Sequence, residues 1–306
     1  MKIEYAIIVK NKTRLEGLIE RFNTKAQAKF YIEKSGGNYS DYEKEHEIFH
    51  ESLSLLQQFL SKVIKHKIVE RAFVPSYLFA DNNLIIVIGQ DGLVANTAKY
   101  SNGVPIVAVN PDTNRYDGVL LPFTTNDFLQ GVENIMAGSA TYNTVQFAEA
   151  KLNDGQRLLA FNDLFIGPAS HVSARYKISF NKQTEEQSSS GIIVSTKAGE
   201  TGWLSSIFNM AYGVAGVFEK NISLKRPKLH DNQLLFTVRE PFESVRTQIG
   251  ITAGLIKKGN KLEIESLMPN GGVIFSDGIE SDFLKFNSGT IATIGFAKET
   301  ARLVTK

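Results

Sequence analysis

The residues of this chain that could do chemistry follow predicted buried strands and lie beside glycines. The first group is Gly89-Gln90-Asp91-Gly92, which comes directly after the uninterrupted apolar run 84–88 and before a helix-compatible segment. Such a run is typical of a strand buried on both faces, and α/β proteins bind ligands at the sheet edge where strand, turn and helix meet. The glycines would let a ligand approach the backbone around Asp91. Asp-Gly is also a common turn pair, and on this stretch alone a plain turn is the better interpretation.

Two more groups come from the second half of the chain. Asn162-Asp163 directly follows the segment 158–161, so an amide and a carboxylate lie at a strand end. In the third group the apolar segment 192–194 runs into a turn that opens a helix, where free N–H groups and hydroxyls suit a phosphate or nucleotide. The residues concerned are Thr196, Gly199, Thr201 and Trp203. Turn formation, helix capping and core packing would explain the same residues without a ligand.

Three histidines, His46, His50 and His66, lie on or beside one predicted helix. Histidines four positions apart share a helix face and can bind a metal ion together. Because no third ligand is apparent nearby in the sequence, a solvated helix face is the better interpretation, and we predict no metal ligands. The segment 268–272 and the pair Asp277-Gly278 are predicted to be turns.

Composition places the chain among ordinary globular proteins. The 306 residues are 42% hydrophobic and 22% charged, and 34 Lys and Arg residues against 32 Asp and Glu residues leave a net charge of +2. That balance offers no overall field for a nucleic acid or an anionic membrane, and the absence of cysteine excludes disulfides and thiolate metal sites. No apolar run approaches the ~20 residues of a membrane helix, and the N-terminal segment does not resemble a signal peptide. We therefore expect a cytoplasmic protein.

Alternating strand and helix patterns predict a layered α/β domain with a parallel sheet over residues 1–138. The predicted strands are 3–9, 68–74, 84–89 and 104–109, and the predicted helices are 15–22, one capped by Thr24, 41–65 and 126–136. For the longest helix the spacing predicts an inward face formed by Ile48, Leu53, Leu55, Leu56, Phe59, Leu60 and Ile64.

Short alternating segments separated by turn residues predict a β-rich, sandwich-like domain over residues 139–306. The predicted strands are 157–161, 175–180, 192–195, 234–238, 261–267, 273–275 and 290–296. One helix is predicted to start near Thr201, and the polar segments 183–190 and 225–231 are predicted to be loops.

Three common motifs are missing from the sequence. There is no Gly-x-x-x-x-Gly-Lys-[Ser/Thr] loop, no Gly-x-Ser-x-Gly nucleophile elbow, and no Gly-x-Gly-x-x-Gly signature after the strand 84–89. A nucleotide site in this chain is therefore not of the P-loop type.

The groups, in this order, resemble the motifs of the NAD kinase family. The family's Gly-Gly-Asp-Gly-Thr loop corresponds to residues 89–93, its Asn-Glu pair to Asn162-Asp163, and its Thr-Pro-Thr-Gly-Ser-Thr-Ala-Tyr stretch to the segment that ends at Trp203. Other segments are similar to the mitochondrial type of NAD kinase, namely 162–167, 173–176, 189–191, 236–241 and 286–292. The resemblance covers most of the chain from about residue 40 to its end.

The resemblance implies an N-terminal α/β domain, a C-terminal β-rich domain and an active-site cleft between them. There ATP and NAD would meet, and the 2′-hydroxyl of the adenosine ribose would be phosphorylated in the presence of Mg²⁺ to give NADP. Asp91 would be the catalytic aspartate. The nucleotide-binding residues would be Gly89, Gln90, Gly92, Asn162, Asp163, Thr196, Gly199, Thr201 and Trp203. The resemblance also implies self-association as a homodimer or homotetramer.

This sequence departs from the family's pattern at several positions. They are Gln90 for glycine, Leu93 for threonine, Asp163 for glutamate, Lys197 for proline, Glu200 for serine and Trp203 for tyrosine. Because of these differences, two other functions remain as alternatives to an NAD kinase. One is a kinase of another acceptor, such as a sugar, a lipid or a nucleoside, and the other is a weakly catalytic regulatory protein that binds NAD or another nucleotide.

Overall fold

In the computed structural model, which describes residues 3–218 and 228–306, the chain forms two units. The first consists of Met1–Thr144 together with Ala301–Lys306, and the second of Val145–Thr300. The last strand of the chain therefore begins in the second unit and ends in the first.

The first unit is built on a parallel sheet, as the alternating patterns predict. Its strands are β1 (Tyr5–Lys10), β2 (Lys65–Glu70), β3 (Asn83–Ile88), β4 (Ile106–Asn110) and β5 (Phe123–Thr124). Its helices are α1 (Arg14–Phe22), α2 (Lys25–Lys34), α3 (Tyr39–Leu60), α4 (Asp91–Ala98) and α5 (Phe128–Ala137). The strand order is β2-β1-β3-β4, and β5 and the end of the last strand both pair in parallel with β4.

Strand β3 leads to the first candidate group and is buried along its whole length. Leu84, Ile86 and Ile88 pack in the core with residues of α3 and α5. Successive strand residues point to opposite faces, and Ile85 and Val87 are equally buried. An apolar run without polar breaks is what such a central strand requires.

Local signals placed most element ends in the first unit, although the helix predicted at 41–65 ends at Leu60, before β2 begins at Lys65. Two further corrections are needed. Thr24 caps α2 as predicted, and its hydroxyl accepts the Gln27 N–H at 3.1 Å. The inward face of α3 was wrong for Ile48 and Leu55, which are 37% and 42% exposed. The buried face follows the spacing of residues 49, 53, 56 and 60, and those two residues lie to its side.

The second correction concerns the strand predicted at 68–74. It starts earlier, at Lys65, and stops at Glu70. Residues 71–76 form a 3₁₀ turn that contains Pro75. Proline has no N–H to donate to a neighbouring strand, so the ladder ends before it.

The second unit is a sandwich of two antiparallel sheets around one core. Its strands are β6 (Tyr142–Leu152), β7 (Arg157–Ala160), β8 (Asp163–Pro168), β9 (Ala174–Phe180), β10 (Gln183–Ser189), β11 (Ile192–Ser195), β12 (Gln233–Val238), β13 (Ala253–Lys257), β14 (Leu262–Ser266), β15 (Gly272–Ser276), β16 (Ile279–Lys285) and most of β17 (Ile291–Val304). One sheet has the order β13-β12-β11-β8-β15-β16, and the other contains β10-β9-β14-β17 with β6 and β7. Helix α6 (Trp203–Phe218) follows β11. Within the described ranges, no helix combines the length and the apolar character needed to cross a membrane.

The loop predicted at 183–190 is wrong, because most of this segment forms β10, which pairs with β9. Its polar side chains alternate between the core and solvent, and Gln187 and Ser189 are buried. Both are hydrogen-bonded to the hydroxyl of Tyr176, at 2.9 and 2.8 Å, so these buried polar groups have partners within the core. The loop predicted at 225–231 lies partly outside the described residues.

Candidate functional site

Asp91 is the first residue of α4 and lies in the turn that follows β3. Its Oδ1 accepts a hydrogen bond of 2.6 Å from the backbone N–H of Leu120, and within the described residues no hydrogen bond to Oδ2 is found. The dipole of a helix stabilises a carboxylate at its N-terminus. One oxygen thus fixes the orientation of the side chain, while the other can accept a hydroxyl proton from a ligand.

Gly92, beside Asp91, has no packing reason to be glycine. A Cβ at this position would meet no atom within 4 Å, and the backbone φ is not positive. Glycine in a helix is about 1 kcal/mol less favourable than alanine. A ligand that approaches the backbone at this turn would explain the missing side chain.

We expect Gly92→Ala to raise the free energy of unfolding by roughly 0.5–1 kcal/mol, because the methyl group enters open space and alanine favours the helix. The same methyl group should weaken the binding of ATP or NAD if either lies against this turn. Thermal unfolding and calorimetric titration measure the two effects. Gly17→Ala on α1, where a Cβ also meets nothing, is the matched control and should change stability alone. Nucleotide binding that is unchanged in Gly92→Ala would remove this turn from the site.

Asp163 begins β8 and is almost completely buried. Its Oδ1 accepts a hydrogen bond from the hydroxyl of Ser195, the residue opposite it on β11. Burial raises the pKa of Asp163 to about 7, the Ser195 hydrogen bond opposes this shift, and the nearby Asp277 carboxylate adds to it. The side chain therefore changes between acid and carboxylate near neutral pH.

This raised pKa predicts how stability depends on pH. The ordinary value is 3.8, so from about pH 4 to about pH 7 the folded protein keeps a proton that the unfolded chain releases. The free energy of unfolding should therefore fall as the pH rises through that window. Asparagine does not titrate, so Asp163→Asn should not show this decrease in the free energy of unfolding. Asp231→Asn changes an exposed carboxylate and should show the same decrease as the wild type. Urea unfolding at several pH values tests this, and parallel curves for wild type and Asp163→Asn would contradict it.

Asp277 was predicted only as a turn residue, and the structure gives it a positioning role. Its carboxylate accepts backbone N–H groups from Phe161 at 3.0 Å, Asn162 at 2.6 Å and Asp163 at 3.2 Å. Its own N–H donates to the Asp163 carbonyl at 2.9 Å. The only sequence signal was the Asp-Gly pair at 277–278, which ordinary hairpin turns share.

Thr196 and Gly199 pack directly against the Asn162-Asp163 pair. The Thr196 hydroxyl donates to the Phe161 carbonyl at 2.6 Å, and the Thr196 N–H donates to the Asn162 carbonyl at 2.9 Å. A Cβ on Gly199 would lie 2.4 Å from the Asn162 carbonyl oxygen and 2.9 Å from Asp163 Oδ1, so a larger residue does not fit. The structure therefore brings Asn162, Asp163, Thr196 and Gly199 into one cluster.

Lys197 and Glu200, two residues that differ from the family's pattern, each contact the segment that precedes β12. Lys197 pairs with Asp231 at 2.9 Å, and the Glu200 carboxylate accepts the Leu229 N–H. Both contacts hold the segment that precedes β12 against the turn. Thr201, at the end of this 3₁₀ turn, is exposed.

Trp203 lines a separate pocket of about 690 Å³ in the second unit. Its ring stacks on Phe165 with centroids 5.8 Å apart, and the Arg239 guanidinium lies 5.5 Å from its centroid. Phe275 also packs against Phe165, with ring centroids 4.8 Å apart. Trp203 therefore forms part of the aromatic lining of this pocket in the second unit. Residues 89–92 belong to the first unit.

Comparisons with known proteins identify the fold. No protein-family model and no curated protein matches the chain. Yeast NADH kinase, solved in complex with NADH, is similar with a TM-score of 0.62 at 12% identity, covering 100% of this chain and 84% of the kinase. An NAD kinase from Archaeoglobus fulgidus, solved in complex with ATP, gives a TM-score of 0.56 at 13% identity, covering 98% and 92%. The similarity to the mitochondrial type stays a prediction. The predicted resemblance to the NAD kinase family is confirmed at the level of structure, and this chain has the fold of the NAD kinases.

Proposed function

We propose that this protein is an ATP-dependent phosphotransferase of the NAD kinase kind, which phosphorylates the 2′-hydroxyl of the NAD adenosine ribose to give NADP. The observation that carries the proposal is Asp91, held by Leu120 at the turn between a buried strand and a helix. The fold supports it, because the similar kinases were solved with NADH and with ATP.

In the proposed reaction, the hydroxyl oxygen of the acceptor forms a bond to the γ-phosphorus of ATP. The bond between that phosphorus and the oxygen that bridges it to the β-phosphate breaks, and ADP leaves. The hydroxyl proton passes to Asp91 Oδ2. Phosphoryl transfer depends mainly on positioning and charge neutralisation, and a positioned base contributes roughly 10²–10⁴-fold.

The cluster around Asp163 is proposed to bind the nucleotide. Asn162 offers an amide that can both donate and accept, and an ionised Asp163 can accept both hydroxyls of a ribose. Ionisation needs a pH near or above the raised pKa of about 7. Hydroxyl donors from a bound sugar would favour the carboxylate and so lower that pKa.

Mg²⁺ would enter with ATP. Asp91 is the one carboxylate of the turn 89–92, and Leu120 occupies one of its oxygens. Because its other oxygen is the proposed proton acceptor, the turn would leave Mg²⁺ to be held by waters and by the substrate phosphates, from which this ion takes much of its coordination in kinase sites. When bound, the ion would neutralise charge on the transferring phosphate.

The proposal is tested by incubating purified protein with ATP, Mg²⁺ and either NAD or NADH, and by measuring NADP or NADPH by chromatography. Formation of either product supports an NAD kinase and selects the preferred acceptor. No product, with NAD still bound in calorimetry, would replace the proposal by a regulatory nucleotide-binding protein. Neither product nor binding would point to another acceptor, which a screen of sugars, lipids and nucleosides would address.

Self-association as a homodimer or homotetramer, implied by the resemblance, is part of the same proposal. Light scattering coupled to size-exclusion chromatography measures the mass against the 33.9 kDa of one chain. A single peak at the mass of one chain, over the concentrations used in the assay, would contradict it.

A further inference from the structure

We propose that Glu16, His46 and His50 form a binding site for Zn²⁺ or a similar divalent transition metal in the first unit. Helix spacing brings the two histidines together, because residues four apart on α3 lie one turn apart on the same face. The third residue comes from α1. One potential ligand atom from each side chain lies within 4.8 Å of the others.

The distances are close to those of a metal site. With zinc bonds of about 2.0–2.2 Å, two ligand atoms of a tetrahedral site lie roughly 3.3–3.6 Å apart. Here His50 Nε2 lies 3.1 Å from Glu16 Oε1, and the two imidazole rings have centroids 4.3 Å apart. Ligand atoms of the three side chains lie within 4.8 Å of one another, so a bound ion would draw the side chains closer together.

Neighbouring groups already orient two of the ligands. His46 Nδ1 lies 2.9 Å from the Thr13 hydroxyl, which leaves Nε2 as the nitrogen for a metal. A hydrogen bond on the second ring nitrogen is usual for metal-bound histidine, because it fixes the ring. The second carboxylate oxygen of Glu16 accepts the Thr13 N–H at 2.7 Å, as part of the capping box of α1.

The surroundings favour a cation with an open coordination position. The histidines line a surface cavity of about 650 Å³, together with the exposed carboxylates of Glu47 and Glu51. Three protein ligands and access to solvent leave room for a water or an exchangeable ligand on the metal. Lys10 Nζ lies 3.9 Å from Glu16 Oε1 and would compete for this oxygen, which makes Glu16 the weakest of the three ligands.

The two helices that carry the proposed ligands are held together without a metal. Arg14 of α1 pairs with Glu45 of α3, and Leu15 packs against Tyr39 in a small apolar cluster of α1, α2 and α3. A bound ion would link α1 to α3 through Glu16 and the two histidines. It should therefore raise the melting temperature, because a ligand that binds the folded state stabilises it.

The test uses the full-length protein without a histidine tag, freed of metal by chelation, and titrated calorimetrically with ZnCl₂. We expect one Zn²⁺ per chain. His46→Asn and His50→Asn should each weaken binding by about 100-fold or more, beyond the 10–100-fold typical of changes outside the first shell. Glu16→Gln should weaken binding by about tenfold and still fold, because glutamine also suits the capping box.

His66→Asn is the matched control, since His66 lies on β2 and outside the cluster. Its Zn²⁺ affinity should equal that of wild type. Co²⁺ titration provides a second readout, since visible absorption bands should appear in wild type and in His66→Asn but not in His46→Asn or His50→Asn. No Zn²⁺ binding by the wild type, or equal binding by the variants at positions 46 and 50, would overturn the proposal.

Discussion

Asp91→Asn is expected to lower kcat for NADP formation by roughly 10²–10⁴-fold, because an amide cannot take the proton of the acceptor hydroxyl. The fold should be unaffected. The Asn carbonyl oxygen can still accept the Leu120 N–H that Asp91 Oδ1 accepts at 2.6 Å. Initial rates give kcat, and calorimetry with ATP and NAD shows that binding survives.

Asp112→Asn is the control for this variant. Asp112 Oδ1 also accepts a backbone N–H in the first unit, from Asn114 at 3.1 Å, but Asp112 has no proposed role in the reaction. It should retain wild-type turnover. Full activity in Asp91→Asn would exclude Asp91 as the base, and an equal loss in both variants would show that the effect is structural.

Asp277→Ala is expected to lower the free energy of unfolding by about 3 kcal/mol or more, because hydrogen bonds to a charged group contribute about 1.5–3 kcal/mol each and three backbone N–H groups lose their acceptor. The loss falls on Phe161, Asn162 and Asp163, so the cluster proposed to bind the nucleotide should lose its geometry as well. Urea unfolding measures the first effect and nucleotide titration the second.

Asp231→Ala is the control for the second unit, because its exposed ion pair with Lys197 should contribute at most about 1 kcal/mol. Asp277→Asn keeps one side-chain carbonyl and should fall between wild type and Asp277→Ala. If Asp277→Ala is no less stable than Asp231→Ala, Asp277 does not hold the cluster together. If it is destabilised but binds nucleotide as tightly as wild type, the cluster is not the nucleotide site.

Several features of this protein could be predicted from the sequence because their causes are local. The buried strand β3 follows from an apolar run, and the N-terminus of α2 follows from Thr24. The likeness to NAD kinases was also visible in short motifs, although overall identity to the solved kinases is only 12–13%. Periodicity and capping act over a few residues, so a sequence displays them directly.

Contacts between distant residues were decided by the tertiary structure. Asp277 holds Asn162 although 115 positions separate them, because the adjacent strands β8 and β15 bring them together. Polar β10 becomes a strand because Tyr176 supplies partners for its buried side chains.

The histidine pair shows the same division. The sequence alone determined that His46 and His50 share a helix face, since helix geometry fixes residues four apart. Only the packing of α1 against α3 supplied Glu16, 34 positions from His50, as a third side chain. A linear pattern records the neighbours that the backbone imposes, whereas a site assembled from several elements depends on how their apolar faces pack.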